Sequence, residues 1–210
     1  MHPLSLLHLS ATLVLLSLPD HITLAKSLPT TLKGSLGVSQ RLSRSQSLLR
    51  AVSASLHTAK QTLVHYPCSP EEIDHIDITR EKTHTAKDCL PLEPALNGSC
   101  LPSPAKDPSI MQDLCLQSIY KDLELYQLEF RTLNAKLLMD PQQQISLDQN
   151  LLSSIEELMK TLFLNKESKP HLPAMEEPDF YRTKVQLCTL LQAFRVRAVT
   201  IDRMMSYLSA

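Results

Sequence analysis

The chain has 210 residues, a formal net charge of −1, no Trp and only 4% aromatic residues. A charge so close to zero excludes long-range attraction to nucleic acid or to an anionic membrane surface. A Leu-dominated apolar set poor in aromatics favours helices over a β-sandwich, and the length allows one domain with a sizeable core.

At the N-terminus, Leu4 to Leu18 form an apolar run interrupted by little more than Ser, Thr and His8. The run is too short to span a bilayer comfortably, and it leads into the small-residue pattern Thr23-Leu24-Ala25, with Lys26 just beyond. Residues 1–25 therefore read as a signal peptide and residues 26–210 as a single domain. The weak positive charge ahead of the run, the amino terminus and His2, leaves a retained anchor as the alternative. No later segment is apolar over a membrane-spanning length, so the mature protein is expected to be secreted and soluble, without membrane insertion.

The first helix is predicted from Leu49, Val52, Leu56, Ala59, Leu63 and Tyr66, which recur at three and four residue steps, with Ser43 or Ser45 as its N-cap and Pro67 as its stop. A long segment rich in Pro, Ser and charge follows, from about residue 67 to residue 109. Loops of this length inside a compact domain need a reason. One is geometric: if the first two helices point the same way, the connection must travel the length of the bundle, as in up-up-down-down bundles.

The second helix carries Leu116, Ile119, Leu123, Tyr126, Phe130, Leu133 and Leu137 in unbroken rhythm and ends at Asp140-Pro141. The third, shorter, has Leu151, Ile155, Leu158 and Leu162, widened by Leu152 and Met159, and ends near Phe163. The segment from Leu164 to Glu176 serves as a second crossover. The last helix runs from roughly Glu177 to the C-terminus, with Leu187, Leu191, Phe194, Ala198, Ile201, Met205 and Leu208 on one face. The fold class is thus all-α.

A flank lies beside that last core stripe, formed by Arg197, Met204, Ala193, Thr200, Tyr207, Val196 and Arg203. It is too apolar for a purely solvated face and too polar for a core. Tyr and Arg in such a setting mark interface hot spots, while the ordinary alternative has Arg197 and Arg203 covering the bundle edge with their stems. At the start of the same helix, Phe180 is expected to pack and Tyr181 to be exposed or to sit in a satellite core.

Cys68, Cys89, Cys100, Cys115 and Cys188 make an odd number. In an oxidising compartment this suggests two internal bridges and one thiol left for a partner chain. Asn97-Gly98-Ser99 is a glycosylation sequon immediately before Cys100, and a glycan there would keep the surroundings of that cysteine exposed. No phosphate loop, nucleophile elbow or zinc-protease motif is present. The acidic run Glu71-Glu72-Ile73-Asp74-His75-Ile76-Asp77 reads as solvated surface or capping groups before it reads as a metal site. The chain is therefore not expected to be an enzyme or to need a cofactor. A helical carrier of apolar ligands would be the rival, and it would require an interior pocket.

The string from Tyr66-Pro67-Cys68 to His75, continued through Asp77-Ile78-Thr79 to Cys89-Leu90-Pro91-Leu92-Glu93, closely resembles the interleukin-12 alpha subunit family. So do Ser118-Ile119-Tyr120, the run from Asn134 to Pro141, and the run from Glu177 through Arg182 into Ala193-Phe194-Arg195 and Ala198 to Arg203. The resemblance covers nearly the whole chain from about Ser45 onward.

It implies a long-chain four-helix cytokine bundle, up-up-down-down, secreted in disulfide linkage to an interleukin-12 beta-type subunit. It further implies signalling through paired interleukin-12 receptor chains on T and natural killer cells, and leaves room for another beta-type subunit as partner. By the same resemblance Cys100 bonds the beta subunit, Cys68 pairs with Cys188, and Cys89 with Cys115. Arg203 looks like the anchor arginine in an acidic pocket of the beta subunit, with Arg197, Thr200 and Tyr207 around it, and Tyr181 like a receptor-facing tyrosine. The family pattern has further cysteines where Arg41 stands and in a longer loop after the Cys100 position. Those two would pair with each other, so their joint absence strands no thiol. A stand-alone interleukin-6-type four-helix cytokine is the alternative within the same class.

Overall fold

The computed structural model describes residues 30–66, 68, 77–89, 92–94, 100–102, 108–162 and 178–209. The chain divides into Met1–Lys33 and Gly34–Ala210. Of the first unit only residues 30–33 are described, as helical backbone, and the bundle is built from the second. The expected signal peptide, Asn97, the acidic run Glu71 to Ile76 and the whole of the second crossover, Leu164 to Glu176, lie outside the described residues.

Four long helices carry the fold: α1 (Thr30–Thr62), α3 (Pro108–Leu137), α4 (Gln149–Leu162) and α5 (Phe180–Ser209). The first crossover holds a single-turn helix, α2 (Thr85–Cys89), and two strands, β1 (Leu92–Pro94) and β2 (Cys100–Pro102). The strands pair antiparallel with Leu92 opposite Pro102 and Pro94 opposite Cys100. Local chemistry explains the starts. Pro108 opens α3, where its missing N–H costs nothing. Asp148 accepts from the Asn150 N–H at 2.8 Å ahead of α4, and Asp179 from the Arg182 N–H at 3.1 Å ahead of α5.

The helix α1 starts well before the expected cap. Ser43 and Ser45 lie inside it, and the Ser45 hydroxyl donates to Asp202 Oδ1 on α5 at 2.7 Å instead of capping a backbone end. Serine is tolerated there because its hydroxyl can also satisfy itself on the preceding turn, as Ser47 does on the Ser43 carbonyl at 3.0 Å. The core stripe of α1 begins with Leu48 rather than Leu49, which is only partly buried.

Side-chain contacts fix the directions. Ser45 meets Asp202, and Cys68, beyond the end of α1, is bridged to Cys188 near the start of α5, so α1 and α5 run antiparallel. Gln186 bonds Glu129 while Arg197 reaches Asp122, so α3 and α5 are antiparallel too. In α4, Arg44 of α1 contacts Glu157 at 2.5 Å, whereas Thr62 at the other end of α1 accepts from Gln144, just before α4. Helices α1 and α3 therefore point one way and α4 and α5 the other, the up-up-down-down arrangement that makes a long first crossover necessary.

All seven expected stripe residues of α3 are buried, as are Leu151, Ile155, Leu158 and Leu162 of α4 and Leu187, Leu191, Phe194, Ala198, Ile201 and Met205 of α5. Phe194 is the centre: its ring lies 4.5 Å from Tyr126 and 5.3 Å, edge-on, from Phe130.

The Cys68–Cys188 bridge spans 120 positions of sequence. Replacing both cysteines by Ser is expected to lower unfolding free energy by up to about 5 kcal/mol, the chain-entropy limit for a loop of this size. Urea denaturation measures it, and an unmoved midpoint would show that helix packing alone already restrains these segments.

Candidate functional site

Helix α5 has two sides packed and one side free. Toward α3 it places Arg197, whose guanidinium forms ion pairs with Asp77 of the crossover and, at 3.3 Å, with Asp122 of α3. Thr83 and Thr85 donate their hydroxyls to the two Asp122 oxygens at 2.5 and 2.6 Å. Asp77 Oδ1 accepts from the Thr79 N–H at 2.9 Å, the Thr79 hydroxyl at 2.7 Å and the Tyr126 hydroxyl at 3.1 Å. Each charge in this cluster thus faces an opposite charge and hydrogen-bond partners, the condition under which buried ions are tolerated, with only the Arg197 Nε left without a partner among the described residues.

The two carboxylates differ. Burial pushes Asp122 above the ordinary value, against the opposing pull of Thr83, Thr85 and Arg197. Burial acts on Asp77 as well, but the hydrogen bonds from Thr79 and the Arg197 charge outweigh it and hold that carboxyl low. Tyr126 is pushed far up by burial and by the Asp77 charge, so it remains a hydrogen-bond donor.

The free side of α5 presents Val196 and Tyr207, 55% and 59% exposed, with Arg203 exposed between them and Thr200 and Val199 partly covered. Arg203 makes no ion pair among the described residues. Two expected members of this flank belong to the core instead: Ala193 and Met204 are buried, because they sit on the α3 side of the helix. Arg197 also differs from its neighbours. Its side chain is 12% exposed and its charge is already matched, so it backs the face from within while Arg203 stands out from it.

Of the cysteines, Cys68–Cys188 and Cys89–Cys115 are bridged, with Cα atoms 5.1 and 4.5 Å apart. Cys100 occupies the first position of β2, directly after the sequon in sequence. Tyr181 is 60% exposed and Phe180 partly covered at the start of α5. Among the described residues no group of three His, Cys, Asp or Glu could hold a metal, and Asp77, the last member of the acidic run, is directed to Arg197. A concavity of about 350 Å³ lies between α1 and α4, lined by Ser47, Arg50, Ala51, Ala54, Asn150 and Ser154. That lining mixes two alanines with two serines, an asparagine and an arginine, and contains no large apolar side chain.

Neither partner of Arg197 is marked as such in the sequence, since Asp77 ends a run that reads as solvated surface or capping groups and Asp122 sits beside Leu123 in an otherwise apolar stripe. The available signal was an acid four residues before a core Tyr.

Comparison with known proteins bears on the whole chain. The family model described as interleukin-12 alpha subunit matches residues 6–210. The interleukin-12 subunit alpha of Lama glama is 57% identical, with 100% of each chain covered. That of Homo sapiens is 54% identical over 100% of each, and that of Canis lupus familiaris 55% over 94% of each.

Arg197→Met is expected to cost roughly 3 kcal/mol at pH 7, since it leaves two carboxylates without their counter-charge. The sign with pH follows from Asp122: a raised folded pKa means that the native state holds the proton more readily, so stability is regained as pH falls toward the ordinary value of 3.8. Asp77 behaves oppositely in the native chain, where its lowered pKa contributes stability above 3.8 that is lost below it, and without Arg197 that contribution shrinks. Denaturation at pH 7 and pH 5 should therefore show a smaller penalty at pH 5. A penalty independent of pH would refute the ionic account of the cluster.

Proposed function

The chain belongs to the interleukin-12 alpha subunit family, and from that premise we propose that it acts by binding, as the helical half of a secreted, disulfide-linked heterodimer with an interleukin-12 beta-type subunit. It is a cytokine subunit. In this reading residues 1–25 are removed as a signal peptide, residues 26–210 form the cytokine domain, and Asn97 carries a glycan. No described helix is long and apolar enough to cross a membrane.

The observation that carries the proposal is the uncovered side of α5. Arg203 and Tyr207 stand exposed beside Val196 and Thr200 on a helix whose other sides are filled. A planar guanidinium without an ion-pair partner among the described residues suits an acidic pocket, where desolvation strengthens a bidentate pair. Thr200 and Tyr207 flank it, and Arg197 supports it from the inner edge. Cys100 supplies the covalent link, from a ribbon in the crossover that leaves the other four cysteines paired within the chain.

Tyr181 lies at the opposite end of α5 from Tyr207, about 26 positions and hence roughly 39 Å along the axis at 1.5 Å per residue. A partner seated on the C-terminal half leaves this end free for an interleukin-12 receptor chain. The heterodimer thereby brings two receptor chains together on T and natural killer cells, with no catalytic step and no cofactor.

Co-expression with a beta-type subunit followed by non-reducing electrophoresis should give a covalent heterodimer that Cys100→Ser abolishes. A covalent heterodimer surviving that change would sink the assignment of Cys100, and a chain secreted alone in active form would favour the stand-alone interleukin-6-type alternative. In the Cys100→Ser background, Arg203→Ala should weaken non-covalent assembly by more than about 2 kcal/mol, the scale of an interface hot spot. Surface plasmon resonance reads it, and unaltered affinity would return Arg203 to solvated-edge status.

A further inference from the structure

The opposite end of the bundle holds a second arrangement of charge and aromatic rings, distinct from the Arg197 cluster. Lys184, on the first turns of α5, has a side chain only 3% exposed. Its Nζ meets Asp140 Oδ2 at 2.8 Å and Gln144 Oε1 at 3.0 Å, both in the connection from α3 to α4. The same ammonium lies 5.7 Å from the ring centroid of Tyr66, within cation–π range. The Tyr66 ring in turn packs on Tyr181 with centroids 5.2 Å apart and planes inclined by 31°.

Tyr66 is held firmly. Its N–H donates to the Leu63 carbonyl at 3.0 Å, and its own carbonyl accepts from the Cys68 N–H at 2.8 Å. Two residues on, Cys68 is bridged to Cys188 of α5 and accepts from Gln192 of α5 at 2.8 Å. Tyr181 lacks such restraints of its own: it is 60% exposed in the first turn of a helix. An exposed tyrosine there would sample several rotamers, and a partner would have to order it on binding.

We propose that Tyr66, held by the Cys68–Cys188 bridge and the buried Lys184–Asp140 pair, is a positioning residue that presets the Tyr181 ring for the receptor chain that contacts it. This inference rests on the receptor-facing role of Tyr181 proposed above. It accounts for a lysine buried where an apolar residue would fill the space as well. The ammonium braces one side of the Tyr66 ring, and Tyr181 packs on that ring as well, so ordering of the exposed tyrosine is completed during folding. A rigid aromatic anchor then loses little freedom when it is captured.

A double-mutant cycle on the purified heterodimer tests this, with affinity for each interleukin-12 receptor ectodomain measured by surface plasmon resonance. Tyr66→Leu should weaken binding to one ectodomain about tenfold while Tyr66→Phe, which keeps the ring, stays within roughly twofold of the parent. In a Tyr181→Ala background Tyr66→Leu should change affinity by less than about twofold, because its effect passes through the missing ring. An undiminished effect in that background, or none in the parent, would overturn the positioning role. Fluorine NMR of 3-fluorotyrosine at position 181 gives a readout independent of any receptor. Tyr66→Leu should move its resonance toward the value of free fluorotyrosine, and an unmoved resonance would also overturn the inference. Should Tyr181→Ala bind both ectodomains as the parent does, the receptor assignment itself falls, an outcome separable from the NMR result.

Discussion

Tyr126 stands where the apolar and the ionic halves of this interior meet. Its ring lies 4.5 Å from Phe194, the residue on which α3 and α5 close, and its hydroxyl donates to Asp77 of the crossover at 3.1 Å. A tyrosine this deeply buried needs a hydrogen-bond partner. Here the partner is an acid that is also paired with Arg197. One side chain therefore ties together the helix pair at the centre of the bundle and the segment that must pass along it. Asp122, one turn away, repeats the linkage through Thr83 and Thr85.

The path of the crossover follows from that tie. Residues Asp77 to Cys89 lie down against α3 and α5 because their threonines and acids find charged partners there, and the Cys89–Cys115 bridge closes the end of the segment. Ser118, which donates to Asp88, adds a contact between the two. With the groove between α3 and α5 filled in this way, α5 has only its outer side left. The face of Val196, Arg203 and Tyr207 is thus carried by a helix held on its remaining sides, and a partner engaging it meets a surface that needs little further ordering.

Much of this was legible in the chain before folding. The three-and-four spacing of Leu116 to Leu137 places all seven side chains in the core, since a helix presents such positions on one stripe whatever its neighbours are. The start of α1 was less readable: Ser45 has the chemistry of a cap, yet its hydroxyl serves Asp202, more than 150 positions away. Leu48 and Leu49 are both leucines, and only the angle at which α1 meets its neighbours selects the first for burial. On α5, helical projection grouped Ala193 and Met204 with Tyr207, but the edge of the core is set by how far α3 reaches round the helix.

The amino-acid sequence by itself determined the four long helices and the kinship carried by its long matching strings, and the up-up-down-down order entered only with that kinship. Those properties depend on neighbours a few residues apart or on the order of residues. Tertiary structure decided which charges are available to a partner. Arg197 and Arg203 are six positions apart and chemically identical, yet one is matched by Asp77 and Asp122 and the other is left exposed. The acids that distinguish them arrive from distant parts of the chain, and the energy of an ion pair depends on distance and burial in three dimensions. Tyr66 and Tyr181 likewise come into ring contact only once α1 and α5 have been packed antiparallel.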